Sequence, residues 1–227
     1  MTGAGRVAED YLKTIWSATE WGAPPATVSS LADRFHTTRA TVSVNLKRLS
    51  AQGLLTHEPY APIELTGRGA RLAVSMVRTH RILETFLVEL LGYAWDEVHD
   101  LAEGLEHAAT PDLVDRLDAL LGHPRSDPHG DPIPSRTGEV RYHEGARTLA
   151  VAGPGAWQVI RIPDAAAERL RDLIDRSIVP GAVLTVGDGG VRLSGAPEPV
   201  PLDEESWASI IVRPVDDGDD AGAPGGA

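Results

Sequence analysis

The sequence predicts a mainly α-helical chain with a winged helix-turn-helix at its start and a small β domain near its end. Two observations predict the helical part: apolar residues recur at helical spacing through the first half of the chain, and two short helices are followed by a pair of β-like runs. A third predicts the β domain, because short alternating runs separated by Gly and Pro replace the helical pattern after about residue 150.

The composition excludes several classes of protein. The 227 residues suffice for two or three small domains, and a hydrophobic content of 42% supports a folded core. The chain has no cysteine, which excludes disulfides, thiolate catalysis and zinc–thiolate sites. Because neither a signal peptide nor a long apolar run is evident, we expect a cytoplasmic protein that does not enter a membrane.

The net charge of −12 is unevenly distributed. Residues 1–82 hold ten Lys and Arg against six Asp and Glu, a balance of +4. Residues 83–150 hold five against fourteen, and the remainder holds six against thirteen, which gives −9 and −7. A basic first segment joined to acidic ones is typical of a protein that contacts phosphate with one end, although chance also produces such asymmetry.

Four elements make up the predicted winged helix-turn-helix. A helix is expected over 7–21, and a short helix capped by Thr27 follows as far as about residue 35. A turn separates it from a second helix over about 39–52, and two short β-like runs lie within 54–69.

The helix over 39–52 carries the residue types that a DNA-recognition helix needs. Small polar side chains at its start can approach base edges, and basic side chains further along can contact phosphates. For an isolated stretch, an amphipathic helix with a solvated face would be the better interpretation, but the order of the elements favours DNA binding. The candidate DNA-binding residues are Arg34, Thr38, Arg39, Thr41, Ser43, Lys47 and Arg48.

The middle of the chain is predicted to be helical. Thr66 caps a long helix over 67–91 that ends at Gly92, and further helices are expected over about 97–109 and 110–121. The stretch from 122 to 147 is rich in Pro, Gly, Asp and His and is typical of a linker.

The end of the chain is predicted to form a small β-barrel with one helix. Strands are expected at 157–162, 182–187, 190–194 and 208–213, with a helix over 164–176. The resulting boundaries are 1–72 for the winged helix-turn-helix, 73–135 for the helical domain, 136–150 for a linker, 151–215 for the β domain and 216–227 for a disordered acidic tail.

Histidines and carboxylates are grouped on two of the predicted helices. His80 and Glu84 are four residues apart and share one face. A second group, from His99 to His107, lies within roughly a third of the helix circumference. Imidazole with carboxylate suits Mn²⁺, Fe²⁺, Co²⁺ or Zn²⁺, and a sulfur-free, carboxylate-rich set favours the harder ions. A solvated acidic face is the alternative for either group alone.

Several sequence strings together carry a resemblance to a known family. They are AEDYLKTIW, TRATVSVNLKRL, ELTGRGARLA, MVRTHRILETFL, LGYAWDEVHDLAEGLEHA and DPHGDPIP. On these strings the chain resembles the diphtheria toxin repressor family, and within it the manganese-responsive regulators of actinobacteria. The match runs from about Val7 to Pro134 and more weakly to Val215.

The resemblance implies a metal-activated repressor that acts as a homodimer on double-stranded operator DNA. The last domain is then expected to be an SH3-like (FeoA-like) barrel, and the middle domain is expected to mediate dimerisation and metal binding. The implied metal ligands are Asp10, Glu103, Glu106 and His107 in a primary site, and His80, Glu84 and His99 in an ancillary site.

Two of these ligands indicate the metal. Iron-responsive members of the family carry methionine at the position of Asp10 and cysteine at that of Glu103. Replacing sulfur with oxygen donors relatively favours Mn²⁺, so we expect Mn²⁺, with Fe²⁺ as the alternative and Co²⁺ or Zn²⁺ binding in vitro. The regulated genes are then expected to be those of manganese uptake.

The chain departs from the family pattern at two places. Lys13 stands where some manganese regulators use a glutamate, which argues against a two-metal cluster of that design. The last domain can also lend an ancillary ligand in this family, and here Glu168 or Asp164 would have to supply it.

Two rival interpretations belong to other classes. A metallohydrolase would need a spare base, and the candidate ligands are all accounted for by the two implied sites, so we do not expect an enzyme. A winged-helix regulator that senses an organic ligand would leave the acidic face solvated. We expect no small organic ligand.

Overall fold

The computed structural model describes residues 5–58, 61–163, 167–187 and 189–215. The chain divides into two compact units. The first comprises residues 1–83, 103–119 and 133–140, and the second comprises 84–102, 120–132 and 141–227.

The first unit begins with the predicted winged helix-turn-helix. Its helices are α1 (Arg6–Ser17), α2 (Val28–Arg34) and α3 (Arg39–Ala51). The wing is an antiparallel pair of two-residue strands, β1 (Leu55–Thr56) and β2 (Glu64–Leu65). This order of elements confirms the predicted fold class for the N-terminal part of the chain.

Local interactions define where these helices begin. The hydroxyl of Thr27 accepts a hydrogen bond from the Ser30 N–H, and the Ser30 side chain accepts from the Thr27 N–H, which together form a capping box. The Thr38 hydroxyl likewise accepts from the Thr41 N–H at the start of α3. Leu46 and Leu49 on the inner face of α3 are fully buried, so the opposite face is left for solvent.

The long helix α4 (Gly67–Leu91) has the bounds that the sequence predicted. Thr66 caps it by accepting a hydrogen bond from the Gly69 N–H, and Gly92 ends it with a φ of 71°. The next two helices, α5 (Val98–Glu106) and α6 (Pro111–Leu120), also form where expected, although α5 ends three residues early.

The stretch predicted as a linker is folded in part. Asp127, His129 and Asp131 are at most 6% exposed. One oxygen of Asp127 accepts hydrogen bonds from the N–H groups of His129 and Asp131, at 2.9 Å each. A side-chain acceptor therefore satisfies the loop's own backbone without a helix or strand. Composition does not reveal such bonding, which explains the difference from the prediction.

The second unit contains a five-stranded antiparallel sheet. Its strands are β3 (Arg147–Thr148), β4 (Gly155–Arg161), β5 (Val183–Gly187), β6 (Gly190–Leu193) and β7 (Ile211–Pro214), in the order β3-β7-β4-β5-β6. The pairing confirms a small antiparallel β domain.

Two helices accompany this sheet. The predicted helix is α7 (Ala167–Asp175). A short helix that the sequence analysis missed, α8 (Glu204–Ser209), begins where the Asp203 carboxylate accepts from the Ser206 N–H. Leu170 and Leu173 of α7 lie in the domain core with Val159 of β4. Asp164 and the tail 216–227 lie outside the described residues. Within the described ranges, no helix combines the length and the apolar character needed to cross a bilayer.

Gly69 supplies a sharp test of how α4 packs in the first unit. A Cβ placed there would lie 1.8 Å from the Leu54 carbonyl oxygen, which belongs to the backbone and cannot rotate away. We expect Gly69→Ala to lower the free energy of unfolding by about 1–3 kcal/mol, measured by urea denaturation. The control is Gly67→Ala in the same helix, where a Cβ meets only the tip of the Arg71 side chain at 3.6 Å. Equal stability of the two variants would contradict this packing.

Candidate metal centre

Three of the four expected primary ligands converge although they are far apart in the chain. Asp10 lies on α1, Glu106 ends α5 and His107 follows it directly. The Nε2 atom of His107 is 2.8 Å from Asp10 Oδ1 and 3.8 Å from Glu106 Oε1. One donor atom from each residue lies within 4.8 Å of the other two. Two carboxylates and an imidazole at this separation are a donor set for a divalent cation.

The centre is shielded from water to different degrees. The Glu106 side chain is 1% exposed and that of His107 is 11% exposed, whereas the Asp10 side chain is 31% exposed. The buried carboxylate lies one turn beyond Ala102, which faces the core on α5. Solvent therefore reaches the centre on the side of Asp10.

The surroundings shift the two carboxylates in opposite directions. Burial raises the pKa of Asp10, and the nearby positive charges only partly offset it. Burial would also raise the pKa of Glu106, but the hydrogen bond and charge of His80, together with Lys13, bring that pKa below its ordinary value. The carboxyl group of Glu106 therefore ionises more readily than an ordinary glutamate.

Glu103, the fourth expected ligand, lies at the edge of this group. Its side chain is 39% exposed, and its Oε1 atom is 3.0 Å from the Arg34 guanidinium and 3.7 Å from Lys13 Nζ. The structure therefore places Glu103 beside the centre and paired with cations, and it is absent from the group of three whose donor atoms converge.

A glutamate that the sequence analysis did not single out orients His107. The Oε2 atom of Glu9 is 2.8 Å from His107 Nδ1, on the side of the ring opposite Asp10. A carboxylate that holds one ring nitrogen of a ligating histidine fixes its tautomer and its orientation. The adjacency of Glu9 to Asp10 was the available signal, but only the fold shows which carboxylate faces which nitrogen.

Two of the three expected ancillary ligands, Glu84 and His99, approach each other in the second unit. His80 and Glu84 lie one turn apart on α4, and His99 Nδ1 is 3.5 Å from Glu84 Oε1. The Nδ1 atom of His80 is 2.7 Å from Glu106 Oε2. In this structure His80 thus contacts a primary ligand. Glu168, on the first turn of α7, is exposed.

A second set of donors within the second unit also includes Glu84. Donor atoms of Glu84, Asp127 and His129 lie within 4.8 Å of one another, and all three residues are buried. His129 Nε2 is 3.4 Å from the carbonyl oxygen of Trp95, and its Nδ1 atom is 4.0 Å from Glu84 Oε2. The assumption that 122–147 is a linker concealed this set from the sequence analysis.

The outer face of α3 presents most of the candidate DNA-binding residues to solvent. Thr38, Arg39, Thr41, Lys47 and Arg48 are exposed, and Ser43 is half-buried with its hydroxyl donating to the Arg39 carbonyl; Arg34, at the end of α2, is also exposed. Val44 on the same helix is 67% exposed, an apolar side chain among polar ones. This face offers basic groups for phosphates together with small side chains for base edges.

Two family models match adjoining segments in the first 135 residues of the chain. Residues 4–63 match the family described as "Iron dependent repressor, N-terminal DNA binding domain". Residues 66–135 match "Iron dependent repressor, metal binding and dimerisation domain". Neither match extends into the β domain.

Curated relatives match a little more than half of the chain. The iron-dependent repressor IdeR of Mycobacterium tuberculosis is 37% identical over 126 residues, which are 56% of this chain and 54% of the relative. The diphtheria toxin repressor of Corynebacterium diphtheriae is 32% identical over 126 residues, 56% of this chain and 55% of the relative. The chain thus spans about half the length of the curated relatives it matches.

Solved structures resemble the chain over nearly its whole length. One, titled "Manganese-dependent transcriptional repressor complex with manganese", is 40% identical with a TM-score of 0.85, over 92% of this chain and 100% of the other. A structure of the manganese regulator SloR is 28% identical with a TM-score of 0.78, over 92% and 98%.

Substitutions can test separately the set of Asp10, Glu106 and His107 and the donors around Glu84. We expect Asp10→Asn and Glu84→Gln each to lower the number of Mn²⁺ ions bound per chain from two to one, because each removes an anionic donor from one set. The double variant should bind none. Native mass spectrometry of the full chain gives the count directly.

The matched control for this measurement is Asp112→Asn. Asp112 lies on the surface of α6 with its side chain 78% exposed, so the same change there leaves both sets intact. Unchanged stoichiometry in Asp10→Asn would show that the convergence of α1 with α5 holds no metal.

Proposed function

Since the chain belongs to the diphtheria toxin repressor family, we propose that it is a transcriptional repressor that binds operator DNA as a homodimer once Mn²⁺ is bound. The observation that carries the proposal is the approach of Asp10 on α1 to Glu106 and His107 at the end of α5. Asp10 belongs to the DNA-binding domain, and the two residues that it approaches lie nearly a hundred positions later in the chain. The experiment that tests it is Mn²⁺-dependent DNA binding.

The site couples metal binding to DNA binding through α1. That helix packs into the core of the winged helix-turn-helix through Tyr11, Leu12 and Ile15, so its position sets the position of α3. Asp10, Glu106 and His107 would hold the metal, whose charge would offset the repulsion between the two carboxylates. Metal binding would then favour the arrangement in which α1 lies against the end of α5. A few kcal/mol of differential affinity is enough for such a shift.

The DNA-binding residues make two kinds of contact, one to phosphates and one in the major groove. Arg34, Lys47 and Arg48 supply charge for phosphates, which gives affinity but no sequence preference. The start of α3, with Thr38, Arg39 and Thr41, enters the major groove. In a homodimer two such helices read two half-sites, so the spacing between the two DNA-binding domains decides whether both bind.

We propose Mn²⁺ as the activating ion because every donor in the centre is oxygen or imidazole nitrogen. Oxygen-rich, sulfur-free sets relatively favour the harder ions. The similar solved structures whose titles name manganese agree with this choice. Control of manganese-uptake genes follows as part of the proposal.

An iron-responsive repressor of the same family is the second candidate. It is supported by the curated relatives, several of which are named iron-dependent. Fe²⁺ also binds carboxylate and imidazole. Operator binding titrated separately with Mn²⁺ and Fe²⁺, each with a chelator control, separates the two candidates.

We expect Asp10→Ala to abolish Mn²⁺-dependent DNA binding while the dimer persists. The DNA probe is a set of duplexes selected from a random-sequence library by the Mn²⁺-loaded chain, and binding is measured by fluorescence anisotropy. Sedimentation reports the dimer. If Asp10→Ala still needs Mn²⁺ to bind the probe, the coupling through α1 is wrong.

Arg39→Ala is the complementary variant. It should weaken binding to the same duplexes by about fivefold to 150-fold, because a truncated groove contact costs roughly 1–3 kcal/mol. Its Mn²⁺ affinity by calorimetry should match that of the wild type. Loss of metal binding in Arg39→Ala would mean that the two functions are not on separate surfaces.

A further inference from the structure

Lys13 places an ammonium group inside the metal centre. Its Nζ atom is 2.6 Å and 2.9 Å from the two carboxylate oxygens of Glu106, and 3.7 Å from Glu103 Oε1. The Lys13 side chain is only 12% exposed. The pair is therefore well formed and largely shielded from water.

The buried carboxylate of Glu106 needs positive charge around it. A carboxylate that is 1% exposed is strongly destabilised unless cations or hydrogen-bond donors compensate for the lost water. Lys13 contacts both oxygens, and His80 Nδ1 is 2.7 Å from one of them. With these contacts Glu106 is satisfied without a metal ion.

The positions of Lys13 and of a metal ion conflict. A divalent ion held by Asp10, Glu106 and His107 would share the Glu106 carboxylate with the ammonium, only a few ångströms away. Like charges so close in a shielded site repel strongly. Lysine has a flexible four-carbon stem, so its ammonium is able to leave. The compensating charge that it supplies must then come from the metal.

We propose that Lys13 is an internal competitor for the metal, whose ammonium must leave Glu106 before a divalent cation binds there, and that it thereby sets the metal concentration at which the protein responds. The inference rests on the proposed function, because it assigns the regulation of the same site. Lys13 is not a ligand, and it acts through Glu106.

Neutral variants of Lys13 test the competition. For Lys13→Met and Lys13→Gln we expect a Kd for Mn²⁺ at least about tenfold below the wild-type value, measured by isothermal titration calorimetry on the full chain. The melting temperature of the metal-free chain should fall, because Glu106 loses its counter-charge. The increase in melting temperature on adding Mn²⁺ should become larger.

Two further variants serve as controls. Lys13→Arg keeps the charge, so its Kd should not fall below that of the wild type. Arg116→Gln removes a positive charge from the surface of α6, where the side chain is 76% exposed and paired with Asp112, and should leave the Kd unchanged.

The outcomes separate this inference from the proposed function. A Kd in both neutral variants that is equal to or above the wild-type value would mean that Lys13 holds Glu106 in place rather than competing for it, and the inference would be overturned. In that case wild-type Mn²⁺ binding and its effect on DNA binding would still support the proposed function. A wild-type chain and neutral variants that all fail to bind Mn²⁺ would overturn both.

Discussion

The buried carboxylate of Glu106 is the constraint on which the arrangement of the first unit depends. Its charge is withdrawn from water, so the residues around it have to supply compensation. Two of them come from separate helices and contact the carboxylate directly: Lys13 from α1 and His80 from α4. Compensation of one anion therefore draws together elements that the chain separates by many residues.

Under the proposed function, the same constraint makes metal binding at this centre an exchange of ion pairs. Four carboxylates gather around it, those of Glu9, Asp10, Glu103 and Glu106, and each is in contact with a histidine, a lysine or an arginine. Any cation that enters has to replace some of these pairs rather than fill a bare anionic pocket. The binding free energy is then the difference between two sets of ion pairs, which is small compared with either set. A small net difference suits a reversible sensor.

The sequence predicted the parts of the fold that are local and periodic. The capping residues Thr27 and Thr66 and the terminating Gly92 predicted helix ends close to those observed, because capping depends on one or two side chains. It missed α8, which is only six residues long and begins at Asp203 within a stretch of Pro and Glu. The buried loop around Asp127 was missed for a different reason: its order comes from hydrogen bonds that composition does not encode.

For the candidate site, residue types were predictable and pairings were not. Helical spacing placed Glu106 and His107 near one face, and the resemblance added Asp10. Nothing in the spacing indicated that Glu9 would contact the Nδ1 atom of His107 or that Arg34 would pair with Glu103. Those contacts join residues 69 to 98 positions apart and depend on how α1 and α2 pack against α5.

Competition by the Lys13 ammonium affects the metal concentration at which the site responds, but not which divalent ion activates it. Lys13 opposes every divalent ion by its charge, so it shifts the response to all of them in the same direction. It does not distinguish Mn²⁺ from Fe²⁺ or Zn²⁺. That distinction has to come from the donor atoms, which are all oxygen and imidazole nitrogen, and from the supply of each ion in the cell. The threshold of the response and the identity of the activating ion are thus set by different residues, and substitution can change one without the other.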